Sequence, residues 1–153
     1  MIIRKAQDTK KDCDLVFALS NDPVVRACSF NTNAIEYENH CKWYKKRLED
    51  KNTLFFLIFD EEHFVGQIRF NRESELSTDC VISLSIAKEY RGKHVSSEFI
   101  QLGILELKNQ WISIITVVAE VKGENIASNR LFEREGFNLI STINTYKLTV
   151  QNK

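Results

Sequence analysis

The sequence predicts an α/β (α+β) fold with a mixed β-sheet. Along its 153 residues, segments with strand and helix periodicity follow one another in the order β-α-α-β-β-β-α-β-α-β, with a further short strand near the end. The three consecutive strands in the middle predict an antiparallel meander. Two later strands are reached only through helices, a connection that allows parallel pairing, so the sheet is expected to contain both kinds of pair.

Length and composition favour one domain, residues 1–153, and exclude several classes of protein. The 21 basic and 21 acidic residues cancel, which gives no general attraction to nucleic acid or anionic membranes. The longest apolar run, residues 111–119, is shorter than the ~20 residues that cross a bilayer. No apolar leader follows Met1, so a cytoplasmic protein is expected.

The cysteines are interpreted as reduced, inert thiols. None lies in a C-x-x-C pair or near a His and an acid at triad-like spacing, so neither a disulfide scaffold nor an acyl-cysteine enzyme is expected. The three histidines are too widely spaced to predict a metal site. The cysteines are Cys13, Cys28, Cys41 and Cys80.

The N-terminal third predicts one strand and two helices. Residues 1–6 predict the strand, and residues 8–20 predict a helix with Asp8 or Thr9 as its N-cap. Asn21-Asp22-Pro23 ends this helix, because the residue before a proline avoids helical backbone angles. Residues 36–50 predict a second, amphipathic helix. Its apolar face consists of Tyr37, Cys41, Tyr44 and Leu48.

The middle of the chain predicts the meander. Residues 53–59 form a short apolar run typical of a buried strand, and residues 64–70 and 78–87 alternate between apolar and polar side chains. Strands are also predicted at residues 112–121 and 143–150.

Two more helices are predicted at residues 94–109 and 125–135. The second has Asn125 as its N-cap and Gly136 at the C′ position. The apolar face of the first consists of Val95, Phe99, Leu102 and Leu105 or Glu106.

A short basic turn separates the third strand of the meander from the helix at residue 94. Arg91 and Lys93 flank Gly92 in this turn, and the free N–H groups of a helix N-terminus bind anions. This combination predicts a cradle for phosphate groups. The alternative is an ordinary strand–loop–helix turn with solvated charges.

Glu120 is the lone charge at the end of a long apolar strand, and it shares one strand face with Thr116 and Val118. Partial desolvation there would raise the pKa of the carboxyl group toward the range useful for a general base. The alternative is an exposed carboxylate at a strand end.

These segments resemble the signatures of the GNAT superfamily of acetyl-CoA-dependent N-acetyltransferases. The basic turn, residues 91–96, corresponds to the family pattern [Q/R]-x-x-G-x-[G/A], with His94 and Ser96 in place of two glycines. The later pattern, Asn-x-x-Ser/Ala-x-x-Leu-Tyr/Phe-x-x-x-Gly-Phe, is matched without a gap. The matching residues are Asn125, Ser128, Leu131, Phe132, Gly136 and Phe137.

The resemblance implies a GNAT fold, which is a mixed, mostly antiparallel twisted sheet with helices on both faces and two splayed central strands. It also implies acetyl-CoA as co-substrate, without a metal. An N–H near Ile86 would stabilise the oxyanion, and Glu120 would take the proton of the amine, directly or through a water that Asn125 orients. Phe132 lacks the hydroxyl that many relatives carry at this position, so no proton donor for the CoA thiolate is identified. The implied cofactor-binding residues are Ser85, Ile86, Ala87, Arg91, Gly92, Lys93, His94, Val95, Ser96, Ser97, Asn125, Ser128 and Phe132.

Residues 21–30, 40–43 and 66–70 are similar to one GNAT subgroup, which acetylates the 4-amino group of nucleotide-linked deoxy sugars in pseudaminic and legionaminic acid pathways. That resemblance implies direct attack of such an amine on acetyl-CoA in a ternary complex. From the residues alone, His40 is equally explained as a surface histidine. The implied substrate contacts are Asn21, Arg26, Phe30, His40 and Arg69.

Two alternatives remain open. Related GNAT members acetylate protein N-termini, and a degenerate member would bind acetyl-CoA without catalysis. In the first interpretation the partner is a small-molecule amine, with no nucleic acid or membrane involved, and the protein is a monomer or a homodimer.

Overall fold

The computed structural model describes residues 1–140 and 145–151, and seven strands in this part form one sheet in the order β1-β2-β3-β4-β5-β7-β6. The strands are β1 (Ile2–Lys5), β2 (Thr53–Asp60), β3 (His63–Asn71), β4 (Asp79–Ile86), β5 (Thr116–Glu120), β6 (Asn138–Leu139) and β7 (Thr145–Thr149). The helices are α1 (Lys10–Ser20), α2 (Pro23–Cys28), α3 (Tyr37–Glu49), α4 (Ser96–Gln110) and α5 (Ile126–Arg134), and a short 3₁₀ turn covers Lys88–Tyr90.

Strand pairing confirms the predicted mixed sheet. Strands β1 to β4 are successive antiparallel neighbours, whereas β4 and β5 run parallel because α4 carries the chain back between them. The β4–β5 pairing extends from Asp79–Thr116 to Ile82–Ala119, and β4 then continues to Ile86 paired only with β3. The two central strands therefore separate at their carboxyl ends, as the splayed arrangement requires.

Apolar side chains cover both faces of the sheet, which confirms that helices pack on both sides. The larger cluster joins the sheet to α4 and α5, and the smaller one joins it to α1 and α3. Members of the larger cluster include Ile68, Phe70, Phe99, Leu107, Leu131 and Phe132. The smaller cluster is centred on Cys13, Val16, Tyr44, Phe55 and Leu57.

The predicted end of the first helix is also the start of another helix. Helix α1 ends at Ser20, as predicted. The Asp22 carboxylate then accepts the N–H groups of Val24 and Val25 at 2.9 and 3.3 Å, and Pro23 takes the first position of α2. This short helix is not predicted from the sequence, where the proline indicates only the end of α1.

The predicted buried face of α4 is confirmed at Phe99 but wrong at Leu105. The helix begins at Ser96 rather than His94, and Leu105 is 57% exposed. Apolar residues lie on more than one side of α4, so periodicity alone does not select the buried side. Gly103 allows close approach to the sheet, since an added Cβ would lie 2.3 Å from the Cδ1 of Ile68. The buried residues of α4 are Phe99, Ile100, Gly103 and Leu107.

The strand predicted at residues 112–121 starts too early, because β5 begins only at Thr116. Ile112 is 80% exposed, whereas Trp111 and Ile114 are buried and anchor the turn between α4 and β5. The apolar run therefore includes a turn as well as a strand. In the last predicted strand, residues 143–144 lie outside the described residues.

The capping residues of α5 agree with the prediction. The Asn125 side chain accepts the N–H of Ser128 at 3.2 Å. Gly136 follows the helix with a φ of 87°, a left-handed conformation that favours glycine.

Candidate active site

The free edge of β4 faces the gap between the two central strands. The Ala87 N–H donates to the Val65 carbonyl at 2.8 Å, and so points toward β3. Because N–H groups alternate in direction along a strand, the N–H and C=O of Ile86 point the other way, into the gap. The Ile86 N–H is thus available for pairing with an extended ligand, while the Ile86 carbonyl accepts from the Arg91 side chain.

The N-terminus of α4 leaves free the backbone donors that the predicted anion cradle requires. In the described part of the chain, no hydrogen-bond acceptor is found for the backbone N–H groups of residues 92–98. These free donors, together with the positive end of the helix dipole, favour a negatively charged ligand. Lys93 is exposed beside them and adds a positive charge. The donor set therefore fits the pyrophosphate of a CoA molecule.

Two residues of this turn adopt left-handed backbone conformations. Gly92 has a φ of 72°, and His94, at the position of a family glycine, has a φ of 59°. His94 thus adopts a backbone conformation that favours glycine, at a cost in conformational energy. Its side chain is exposed.

The Arg91 side chain is engaged within the protein. Its Nε donates to the Ile86 carbonyl at 2.9 Å, and its guanidinium lies 3.0 Å from the Asp22 carboxylate. Partial burial acts to raise the pKa of Asp22, but hydrogen bonds from Arg91 and the Val25 N–H hold that pKa below its usual value. Arg91 therefore braces the cradle against the start of α2, in addition to bringing charge to it.

Glu120 ends β5 on the same edge of the sheet as the end of β4, since the two strands are parallel. Its side chain is exposed, so the expected partial desolvation is wrong. The strand ends at this residue, and no helix covers it. The alternative interpretation of Glu120 as an exposed strand-end carboxylate thus describes its environment, while its role as a base stays a prediction.

The other residues of the second signature hold α5 in place. The Asn125 amide oxygen caps the helix, so the amide nitrogen is the group left to orient a water. Phe132 is buried and packs against Phe137 and Tyr146, with ring centroids 4.9 and 6.1 Å apart. The predicted cofactor contacts of Asn125, Ser128 and Phe132 stay predictions.

Two of the predicted substrate residues, Asn21 and Arg26, shape the segment around α2. The Asn21 amide pairs with both backbone groups of Ile35 at 2.8 Å. Arg26 donates to the carbonyls of Ser20, Asn31 and Asn33 and so holds the loop after α2. The structure therefore uses Asn21 and Arg26 as internal braces rather than as free acceptor contacts.

Helix α2 lies beside the mouth of the gap. Lys122, just after β5, donates to the Ala27 carbonyl at 3.2 Å. Together with the Arg91–Asp22 ion pair, this contact ties α2 to the turns that follow both central strands. Phe30 is 63% exposed next to this helix and remains available to a substrate.

His40 is buried, so its interpretation as a surface histidine is wrong, while its predicted substrate contact stays a prediction. Only 2% of the residue is exposed, and its Nε2 lies 2.9 Å from the Cys13 carbonyl. The ring packs between α1 and α3 against Phe17 and Tyr44. Burial lowers the pKa of His40 and outweighs the Cys13 carbonyl, which acts to raise it. The neutral ring is therefore favoured.

Arg69 lies on the sheet face covered by α1 and α3. Its guanidinium stacks over the rings of Trp43 and Phe55, 4.8 and 5.6 Å from their centroids. Burial, followed by the nearby Arg47, lowers its pKa to about 10, so the group remains charged at neutral pH.

The thiols are free, and two of them are strongly shielded. Burial raises the pKa of Cys80 to about 12, and burial together with the neighbouring Cys41 thiol raises that of Cys13 to about 12. Neither is a nucleophile at neutral pH.

In the described residues, no group of three or more His, Cys, Asp or Glu side chains is placed to hold a metal ion. None of the helices in that part has the length and apolarity to cross a membrane.

Comparison with protein families matches residues 1–138 to the acetyltransferase (GNAT) domain. The chain belongs to this family. GNAT enzymes transfer an acetyl group from acetyl-CoA to an amine, and this chain is an N-acetyltransferase of that kind. The match agrees with the cradle at α4 and the splayed strands.

Known proteins resemble this GNAT chain over most of its length. Acetyltransferase PseH of Campylobacter jejuni is 23% identical over 129 residues, which cover 84% of this chain and 78% of PseH. Spermidine N-acetyltransferase of Vibrio cholerae, solved with CoA and spermine, has a TM-score of 0.84 at 15% identity. The matched region covers 97% of this chain and 94% of the spermidine N-acetyltransferase chain. The yncA protein of Salmonella typhimurium, solved with acetyl-CoA, has a TM-score of 0.79 at 18% identity, with coverage of 99% and 95%. At these identities the two structures show the fold alone.

Proposed function

We propose that this GNAT protein, as a single domain spanning residues 1–153, acetylates the 4-amino group of a nucleotide-linked amino deoxy sugar. The observation that carries the proposed transfer is the set of free N–H groups at residues 92–98 beside the unpaired edge of β4. The first feature suits the pyrophosphate of acetyl-CoA, and the second suits its extended pantetheine arm. The acetyl group would then lie near Ile86, at the mouth bordered by α2.

The proposed reaction is direct attack of the amine on the thioester carbonyl in a ternary complex. The amine must be neutral, because an ammonium ion has no free electron pair. Glu120 accepts its proton, directly or through a water held by the Asn125 amide nitrogen. The Ile86 N–H, which points into the gap, donates to the oxygen that becomes negative. Since Phe132 has no hydroxyl, the CoA thiolate leaves as the anion or takes its proton from solvent.

Similarity to PseH supports the amino-sugar acceptor, together with the subgroup resemblance of residues 21–30, 40–43 and 66–70. Asn21 and Arg26 contribute to this resemblance by shaping the α2 segment, whereas Phe30 and Arg69 remain candidates for direct contact. We also propose a cytoplasmic monomer or homodimer, because free thiols are typical of a reducing compartment.

The test is release of CoA thiol from acetyl-CoA with a panel of amines. The panel contains UDP-linked 4-amino deoxy sugars, the same sugars without nucleotide, short peptides with free N-termini, and spermidine. The proposal expects the highest kcat/KM with the UDP-linked 4-amino sugars. A higher value with peptides would establish a protein N-terminal acetyltransferase instead. If acetyl-CoA binds but no amine releases CoA, the domain is a catalytically degenerate binding module.

A further inference from the structure

Among the described residues, Arg69 has neither an acidic partner nor a backbone carbonyl that accepts from it, whereas Arg26 and Arg72 lack an acidic partner but donate to carbonyls. Its Nε donates to the Asn71 amide oxygen at 3.3 Å, and no carboxylate of the described residues lies within 4.0 Å of its guanidinium. By contrast, Arg91 lies 3.0 Å from Asp22, and Arg4 makes two contacts with Asp12 at 2.7 and 2.8 Å.

The surroundings of Arg69 increase the need for an anion. The guanidinium rests on two aromatic rings, which hold the planar group in place but do not neutralise it. Arg47 is near enough to lower the pKa of Arg69 further, and Asp50 pairs with Arg47 only at 3.7 Å. A partly buried cation without a counter-charge is unfavourable, so a negatively charged ligand bound beside Arg69 would stabilise it.

A polar strip connects Arg69 to the free edge of β4. In the β3–β4 register, Arg69 pairs with Ser83 and Gln67 pairs with Ser85. These serines lie on the segment of β4 that has lost its β5 partner. Gln67 is only 7% exposed, and its side-chain oxygen has no hydrogen-bond partner in the described part. The strip thus offers an unused acceptor at Gln67 and an unused cation at Arg69.

We infer that Arg69 binds the phosphate groups of the acceptor, with Gln67 accepting from an N–H or O–H of its sugar. Two residues along a strand span about 6.6 Å, which is close to the width of a pyranose ring. The 4-amino group and the phosphate on C1 lie at opposite ends of such a ring. An amine near Ser85 and Gln67 would therefore place the phosphate near Arg69. A guanidinium suits this role because it donates two parallel hydrogen bonds to phosphate.

This inference rests on the proposed function for its sugar, but phosphate binding can be tested separately. Calorimetry would measure the affinity of the whole protein for UDP and for inorganic pyrophosphate, with the α4 cradle saturated by CoA. The variants are Arg69→Gln, Arg69→Lys and the control Arg72→Gln. Arg72 also stacks on a tryptophan, Trp111, with its guanidinium carbon 4.1 Å from the ring centroid.

The wild-type complex with CoA should bind UDP and pyrophosphate, and Arg69→Gln should weaken both by about 10- to 100-fold. Arg69→Lys should retain part of the affinity, and Arg72→Gln should retain all of it. Absence of UDP and pyrophosphate binding by the wild type, with CoA bound, would overturn the inference even if Arg69→Gln fails to fold. Equal losses in Arg69→Gln and Arg72→Gln would overturn it as well.

Kinetics separate this inference from the proposed function. Arg69→Gln should raise KM for a UDP-linked amino sugar by a larger factor than it raises KM for the phosphate-free sugar. UDP binding that depends on Arg69, in a protein that acetylates no amine, would support the phosphate subsite and refute the proposed activity. If the protein acetylates amines and Arg69→Gln binds UDP as well as the wild type does, the proposed activity is supported and the phosphate subsite is refuted.

Discussion

The guanidinium of Arg91 lies 3.0 Å from the carboxylate of Asp22, although 69 positions separate the two residues in the chain. Arg91 belongs to the turn that precedes α4, whereas Asp22 caps α2. The pair therefore joins the turn before α4, where the phosphate cradle is predicted, to the start of α2. Any ligand phosphate that attracts Arg91 competes with Asp22 for it.

Arg91→Ala should weaken acetyl-CoA binding by ~1–3 kcal/mol, the usual scale for a charge-assisted contact. Asp22→Asn retains an oxygen to cap α2 but removes the charge that competes for Arg91, so its affinity for acetyl-CoA should be equal or higher. Calorimetry measures both. If the two variants lose the same affinity, Arg91 serves only to brace the turn. Unchanged affinity in Arg91→Ala would refute its placement at the cofactor.

Glu120→Gln keeps the shape of the side chain and removes its basicity. The variant should lose about 10²–10⁴-fold in kcat at neutral pH, the usual contribution of a general base. The loss should shrink at high pH, where the free amine is abundant without help. Glu124→Gln is the control, because Glu124 is an exposed acid in the loop after β5. Wild-type kcat across the pH range would show that water or another residue takes the proton.

His94→Gly should stabilise the fold by about 1 kcal/mol, because it removes the cost of a left-handed non-glycine residue. His94→Ala is the matched control, since it removes the same ring but keeps the Cβ at a φ of 59°. Urea unfolding compares the three proteins. A gain in the alanine variant equal to that in the glycine variant would assign the effect to the imidazole rather than to the backbone.

Replacing all four cysteines by Ser or Ala should preserve turnover in protein that still folds. Direct transfer needs no thiol, and the raised pKa values of Cys13 and Cys80 keep those groups protonated. In the wild type, Ellman's reagent should modify exposed Cys28 before buried Cys80. Radiolabelled acetyl trapped on any cysteine at the rate of turnover would contradict direct transfer.

His40→Asn should lower the free energy of unfolding by about 1–3 kcal/mol, the cost of disturbing a buried hydrogen bond, with no change in acceptor KM. Because burial lowers the pKa of His40, the unfolded chain binds its proton first. The contribution of His40 to the stability is therefore present above pH ~6.5, the ordinary pKa of histidine, and declines as the pH falls below that value. Thermal melts at several pH values measure this slope. Exposed His63 provides the control variant, and a raised acceptor KM in His40→Asn would restore the substrate contact.

The sequence by itself determined the order of the elements apart from α2, the antiparallel meander and the ends of α5. These features depend on neighbours within a few residues: the alternation along β3 and β4, the Asn125 cap and the left-handed Gly136. The GNAT signature is likewise a contiguous pattern. Local chemistry was less informative where apolar residues occupied several faces, as in α4 with its exposed Leu105.

Only the tertiary structure decided what the long polar side chains contact. His40 and Arg69 have similar local surroundings in sequence, with aromatic neighbours and charges close by. In the structure His40 is buried between α1 and α3 beside the Cys13 carbonyl, whereas Arg69 stacks on Trp43. Arg91 contacts Asp22 because α1, which ends just before Asp22, packs on β3 and β4. Such contacts join residues far apart in the chain, and their formation depends on the relative placement of packed elements, which no local pattern encodes.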